Sequence, residues 1–268
     1  MRIALAILLS LLLLYAAVLG WLWWRQERLL FPAETLPADR PLARSPDITE
    51  RWIEVPGARL HALHLRQPEA RGLVFYLHGN AGNLESWFVQ PEFYRRLGYD
   101  LFMVDYRGYG KSSGRIEGEA QLHADVRAAW DAVASAYAGR RRVLFGRSLG
   151  SGLAARLAAD LGPGAAPELT VLISPYASLR QVAREHFPWV PPSVLRYPLR
   201  TDALIARVPG RLLLVHGERD EVIPSAHARA LQALAPSARL HIVPGAAHND
   251  LQAFPDYLER ISDALRHP

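Results

Sequence analysis

At 268 residues, half of them hydrophobic, the chain is long enough for one large α/β domain with an appendage. It has no cysteine, which excludes disulfides, thiolate metal sites and a cysteine nucleophile. The formal charge of +5 comes from 31 basic residues of which only Lys111 is a lysine, and the arginines form no stripe, which excludes nucleic acid as a partner and leaves an anionic membrane surface compatible.

Ile3–Trp24 carries no charge and lies between Arg2 and Arg25. As a helix it would span about 33 Å, enough for a hydrocarbon core of about 30 Å. Trp21, Trp23 and Trp24 stand at its far end, where indoles favour the headgroup layer. Residues 1–25 are therefore expected to be a single-pass membrane anchor. The alternative is a signal peptide cleaved near Val18-Leu19-Gly20, against which the apolar run continues to Trp24. Arg2 and the amino group balance Arg25 and Arg28, so the positive-inside rule gives no orientation. Residues 26–47 contain Pro32, Pro37, Pro41 and Pro46 and are expected to be an extended tether.

Residues 48–268 are expected to form the globular domain. Trp52–Val55 and Leu60–Leu65 read as strands joined through Pro56-Gly57. Leu73–Leu77, Leu101–Val104, Val143–Phe145, Leu169–Ile173, Arg211–Val215 and Leu240–Val243 follow as compact apolar runs. Helical patterns at Glu119–Tyr137, Leu153–Leu161 and Phe254–Leu265 alternate with them, so the fold class is α/β, with a mostly parallel central sheet covered on both faces. Residues 177–209 break the rhythm with Pro188, Pro191, Pro192 and Pro198 around Phe187, Trp189, Val194 and Leu195. They read either as a short lid, with Phe187 and Trp189 as an apolar lip for substrate, or as a crossover helix with a proline-rich, partly buried entry.

The chemistry centres on Gly146-Arg147-Ser148-Leu149-Gly150, a G-x-S-x-G between a strand and a helix. A strand turning directly into a helix forces strained backbone at the serine and lifts its hydroxyl off the sheet edge. A serine needs a histidine to take its proton and a carboxylate to orient that histidine. His248 follows the last strand and Asp220 the strand before it, giving the order Ser148, Asp220, His248. The rivals are His186 in the lid segment as base, and Glu218, Glu221 and Asp250 as acid. Asp250 is expected to brace the His248 loop. His78 and His216 are expected to brace loops, and His123 and His227 to be surface residues. The backbone amides of Leu149 and Asn80, after the turn His78-Gly79, are the expected oxyanion donors. The chemistry needs no metal or organic cofactor.

His78-Gly79-Asn80-Ala81-Gly82-Asn83, Asp105-Tyr106-Arg107-Gly108-Tyr109-Gly110-Lys111-Ser112, the G-x-S-x-G, Gly217-Glu218-Arg219-Asp220-Glu221-Val222-Ile223-Pro224 and the late His248 together resemble the α/β-hydrolase superfamily over roughly residues 48–266. The resemblance is to its membrane-anchored serine hydrolases, the α/β-hydrolase-domain lipases and depalmitoylases, and also to serine aminopeptidases. It implies the α/β-hydrolase fold, Ser148, Asp220 and His248 as the triad, and Asn80 and Leu149 as the oxyanion hole. The chain departs from the related depalmitoylases, which carry an N-terminal cysteine cluster, in having an apolar helix and no cysteine. The expected activity is hydrolysis of acyl-lipid esters or thioesters at a membrane, with a peptidase or a catalytically silent scaffold as the alternatives.

Overall fold

The computed structural model describes residues 1–162 and 164–267; Pro268, the last residue of the expected domain, lies outside them. After the N-terminal helix α1 (Arg2–Leu30), the chain forms a hairpin of β1 (Ile48–Val55) and β2 (Ala58–Leu65). Then come β3 (Gly72–Leu77), α2 (Leu84–Trp87), α3 (Pro91–Leu97), β4 (Tyr99–Val104), α4 (Glu119–Ala134), β5 (Arg141–Arg147) and α5 (Leu149–Asp160). The last part contains β6 (Leu169–Ile173), α6 (Leu179–His186), β7 (Arg211–Gly217), α7 (Ala226–Leu234), β8 (Arg239–Val243) and α8 (Pro255–Arg266).

The eight strands make one sheet in the order β1-β2-β4-β3-β5-β6-β7-β8. β2 pairs antiparallel with both β1 and β4, and the pairs from β4 to β8 are parallel. Every residue of β3, β4 and β6 is buried, as parallel strands covered on both faces require. Successive side chains then serve opposite faces. Leu73, Phe75 and Leu77 join Leu144, Trp130 of α4 and Leu153 of α5. Val74 and Tyr76 join Val143, Phe145, Leu97 of α3 and Ile261 and Leu265 of α8. β5 lies between β3 and β6, so its C-terminal end is set among the ends of β3, β6 and β7, where ligands bind in such sheets.

Two differences from the sequence reading concern the N-terminal region. The helix runs five residues past the expected anchor, to Leu30. Its last turns touch the domain: Gln26 is buried, donating from Nε2 to the Val194 carbonyl at 2.9 Å and accepting from the Arg196 amide at 2.6 Å. Residues 26–47 are not a free tether. Phe31 and Leu42 are buried, Ala33 and Thr35 pair with Gly82 and Gly110, and the Leu36 amide donates to the Gly110 carbonyl at 2.7 Å. Proline fixes extended backbone without saying whether that backbone is solvated or docked. Here its free amides and carbonyls pair with the loops after β3 and β4. The short helices α2 and α3 had no visible periodicity, being too brief to show one.

Candidate active site

β5 ends at Arg147 and α5 starts at Leu149, which leaves Ser148 alone at the bend with φ 50° and ψ −119°. Positive φ at a residue with a side chain costs about 1–3 kcal/mol and persists only where surrounding contacts impose it. They do so here. The Ser148 amide donates to the Ile173 carbonyl of β6 at 2.9 Å, and the Ser151 hydroxyl donates to the Ser148 carbonyl at 2.7 Å. A Cβ on Gly146 would strike the Gly150 carbonyl, and one on Gly150 the Leu77 carbonyl. Helix and strand can therefore approach closely enough to bend only with glycine at both positions.

His248, in the loop after β8, has Nε2 3.1 Å from Ser148 Oγ and Nδ1 2.8 Å from Asp220 Oδ2. A carboxylate at Nδ1 holds that nitrogen protonated, so the Nε2 lone pair faces the serine hydroxyl. Asp220, in the loop after β7, accepts at Oδ1 from the amides of Val222 (3.0 Å) and Ile223 (2.8 Å). Burial alone would raise its carboxyl, but hydrogen bonding to His216, His248 and the Ile223 amide outweighs burial and holds it well below the usual carboxylate range. Of these, His216 is the more distant: its Nε2 donates to the Ile223 carbonyl at 2.7 Å and lies 3.3 Å from Asp220 Oδ2. Arg147 secures the histidine loop from behind, donating from Nη2 to the His248 carbonyl at 2.9 Å.

The rival residues lie elsewhere. Asp250 is exposed and accepts from the Ala247 amide at 2.7 Å, bracing the loop. His186 is exposed and donates to the Val222 carbonyl at 2.9 Å. Glu218 accepts from the Gly245 amide at 2.8 Å. His78 donates from Nδ1 to the Gly79 carbonyl at 2.7 Å. The expectation for His227 was wrong: it is buried, accepting from the Ala177 amide at 3.2 Å and pairing through Nε2 with Glu185 at 2.9 Å. One face of a short helix reads as polar when its partner carboxylate comes from a distant segment.

Leu149 opens α5, so its amide is among those without an acceptor inside the helix. Asn80 follows β3; its carbonyl accepts from the Tyr109 hydroxyl at 2.7 Å, and its side-chain amide is turned away to the Leu30 carbonyl at 3.2 Å. Phe187 and Trp189 are 54% and 50% exposed. They follow α6, whose N-cap Ser178 accepts from the Gln181 amide and none of whose residues is buried. The Trp189 carbonyl accepts from Tyr15 of α1 at 2.7 Å, and Glu27 pairs with Arg196 and accepts from the Tyr197 hydroxyl at 2.8 Å. The sequence reading missed this contact between α1 and residues 177–209. Its only signal is that Gln26 and Glu27 break the apolar pattern just below the tryptophans.

The family model described as serine aminopeptidase, S33, matches residues 68–200. The chain is 32% identical over 224 residues to an α/β-hydrolase domain-containing protein 17C of Xenopus tropicalis, covering 81% of this chain and 69% of the relative. It is also 32% identical over 258 residues to an uncharacterized protein of Mycobacterium tuberculosis, covering 92% of this chain and 89% of that one. Among solved structures, a Pyrococcus furiosus esterase superposes with a TM-score of 0.70 at 19% identity, over 88% of this chain and 98% of its own.

Proposed function

The chain belongs to the α/β-hydrolase superfamily, and on that premise we propose that it is a membrane-anchored serine hydrolase cleaving carboxylic esters or thioesters of acyl-lipid type. The observation that carries this reading is the unbroken hydrogen-bonded line from Ser148 Oγ through His248 to Asp220, at 3.1 and 2.8 Å, on a serine held in a strained bend.

In the proposed reaction, His248 Nε2 takes the Ser148 proton as Oγ attacks the acyl carbon. Asp220 keeps the imidazole oriented and stabilises the imidazolium that forms. The amides of Asn80 and Leu149 receive the developing oxyanion, and His248 returns the proton to the leaving alcohol or thiol. Water, deprotonated by the same nitrogen, then cleaves the acyl-enzyme. Residues 1–25, with mean hydropathy 2.7 in their most apolar stretch and no buried residue there, would hold the domain at the bilayer. Residues 177–209 would act as the lid, with Phe187 and Trp189 offering an apolar lip to an acyl chain.

A fluorophosphonate probe should label the full-length protein, and Ser148→Ala should abolish labelling. Persistent labelling of that variant would refute the nucleophile. The match to a serine aminopeptidase family favours a second reading, peptide hydrolysis. A substrate amine would need a carboxylate; Glu185 is engaged by His227 and Gln181, which leaves the exposed Glu221 for that role. Turnover of p-nitrophenyl esters against aminoacyl anilides separates the two.

A further inference from the structure

Behind the bend, on the face covered by α3 and α8, lies a cavity of about 440 Å³. Neither Ser148 nor His248 lines it. Arg147, 3% exposed, lines it, and its guanidinium stacks over Trp87 with 5.3 Å from Cζ to the ring centre. One Nη donates to the His248 carbonyl, Nε has no partner, and no aspartate or glutamate lines the cavity. A buried cation without a counter-charge is costly, since desolvation of an ion amounts to several kcal/mol unless an opposite charge meets it.

Three tyrosines, Tyr76, Tyr94 and Tyr257, line the same cavity, and among the described residues their hydroxyls have no protein partner. Burial pushes all three phenols up, so they are neutral donors and cannot themselves balance Arg147, whose charge is felt at Tyr76 and Tyr257. The rest of the lining combines apolar side chains, Val89, Phe93, Leu101, Met103, Leu258 and Ile261, with the neutral polar residues Ser86, Gln90, Asn249 and Gln252. One cation and neutral hydroxyl donors suit a single negative charge, and a planar guanidinium suits a carboxylate. The apolar part of the wall suits a hydrocarbon chain, and the volume is in the usual range for small-molecule sites, about 300–1,000 Å³.

We propose that this cavity binds a monocarboxylate carried on an apolar chain, a medium-chain fatty-acid anion, with Arg147 as its counter-ion and the three tyrosines as donors. The site is separate from the triad, and its occupancy does not depend on turnover. Because the same guanidinium holds the His248 carbonyl, a bound carboxylate would sit one residue behind the nucleophile.

The test is calorimetric titration of octanoate into the full-length protein in lipid nanodiscs, with 1-octanol and inorganic phosphate as parallel titrants. Octanoate should bind saturably, at least tenfold more weakly to Arg147→Gln and at least threefold more weakly to Tyr257→Phe. Tyr257→Phe should melt like the wild type, because the lost hydroxyl has no protein partner. Equal binding of octanol would reduce the site to an apolar cavity, and equal binding of phosphate would make it an inorganic-anion site; either overturns the proposal. So does octanoate binding that Tyr257→Phe and Tyr94→Phe both leave unchanged, or none at all. Should Arg147→Gln fail to fold, Tyr257→Phe and Tyr94→Phe decide. Octanoate binding that disappears once Ser148 carries a phosphonate would assign the ligand to the catalytic cleft instead.

Discussion

The side-chain amide of Asn80 donates to the main-chain carbonyl of Leu30, the last residue of α1, at 3.2 Å. The final carbonyls of a helix have no partner within it, so a loop of the domain here satisfies one of them. The same Asn80 is held from the other side by Tyr109, and Ala33 pairs with Gly82 two residues further along. The N-terminal helix thus ends against the loop proposed to supply an oxyanion donor.

That contact changes what truncation should do. A chain starting at Gln26 keeps Phe31 and Leu42 in place and should fold and hydrolyse short esters. One starting at Ile48 loses both buried side chains, worth about 1.5–3 kcal/mol each, together with the Leu36–Gly110 pairing. It should melt at a clearly lower temperature and turn over more slowly. Equal melting of the two in a thermal scan would mean the docking of residues 26–47 contributes nothing.

The acid can be assigned by kinetics. Asp220→Asn should lower turnover at least about a hundredfold, since loss of a triad acid can cost up to roughly ten-thousandfold. Asp250→Asn, which removes only an acceptor for the Ala247 amide, should cost much less. A larger loss from Asp250→Asn in two well-folded variants would reverse the assignment.

Glu50 should give a pH-dependent stability. Burial pushes its carboxyl up, but Lys111 at 2.7 Å, the Leu42 amide at 3.0 Å and His61 at 2.7 Å together hold it down to about 2. A depressed carboxyl stabilises the fold above its unfolded value and loses that contribution as pH falls towards the folded value. The Glu50 contribution, at most about 3 kcal/mol, should be complete above about pH 5 and gone near pH 2. Denaturant titrations of wild type and Glu50→Gln should therefore differ most at neutral pH and converge in acid. A gap that stays constant with pH would show that the carboxylate pairing is not its source.

The proposed lip makes a chain-length prediction. With Phe187 and Trp189 about half exposed, changing both to serine should leave the melting temperature within a few degrees of wild type. Hydrolysis of a medium-chain ester should fall far more than that of an acetate, because each methylene no longer buried forfeits about 0.8 kcal/mol. Equal losses on both esters, or a melted protein, would return these residues to a packing role.

Much of this arrangement could be read from local chemistry. Fully apolar runs such as Leu73–Leu77 must be buried on both faces, which makes them central strands, and their alternation with helices makes the sheet mostly parallel. Gly146 and Gly150 around Ser148 signal a bend that no bulkier pair would permit, and the chain order of Ser148, Asp220 and His248 follows from which strands precede them. These properties depend on each residue and its near neighbours, so the sequence by itself determined them.

Other features depend on what lies opposite a residue in space, and only the tertiary structure decided those. Prolines made residues 26–47 extended, but pairing with Gly82 and Gly110 made them part of the domain. His227 has a polar side chain on a short helix, and Glu185, 42 positions away, made it a buried partner. Arg147 was the variable position of a motif until α3 and α8 enclosed it without an acid. A side chain's exposure and charge balance are sums over neighbours from several elements. The folded packing alone brings those neighbours together.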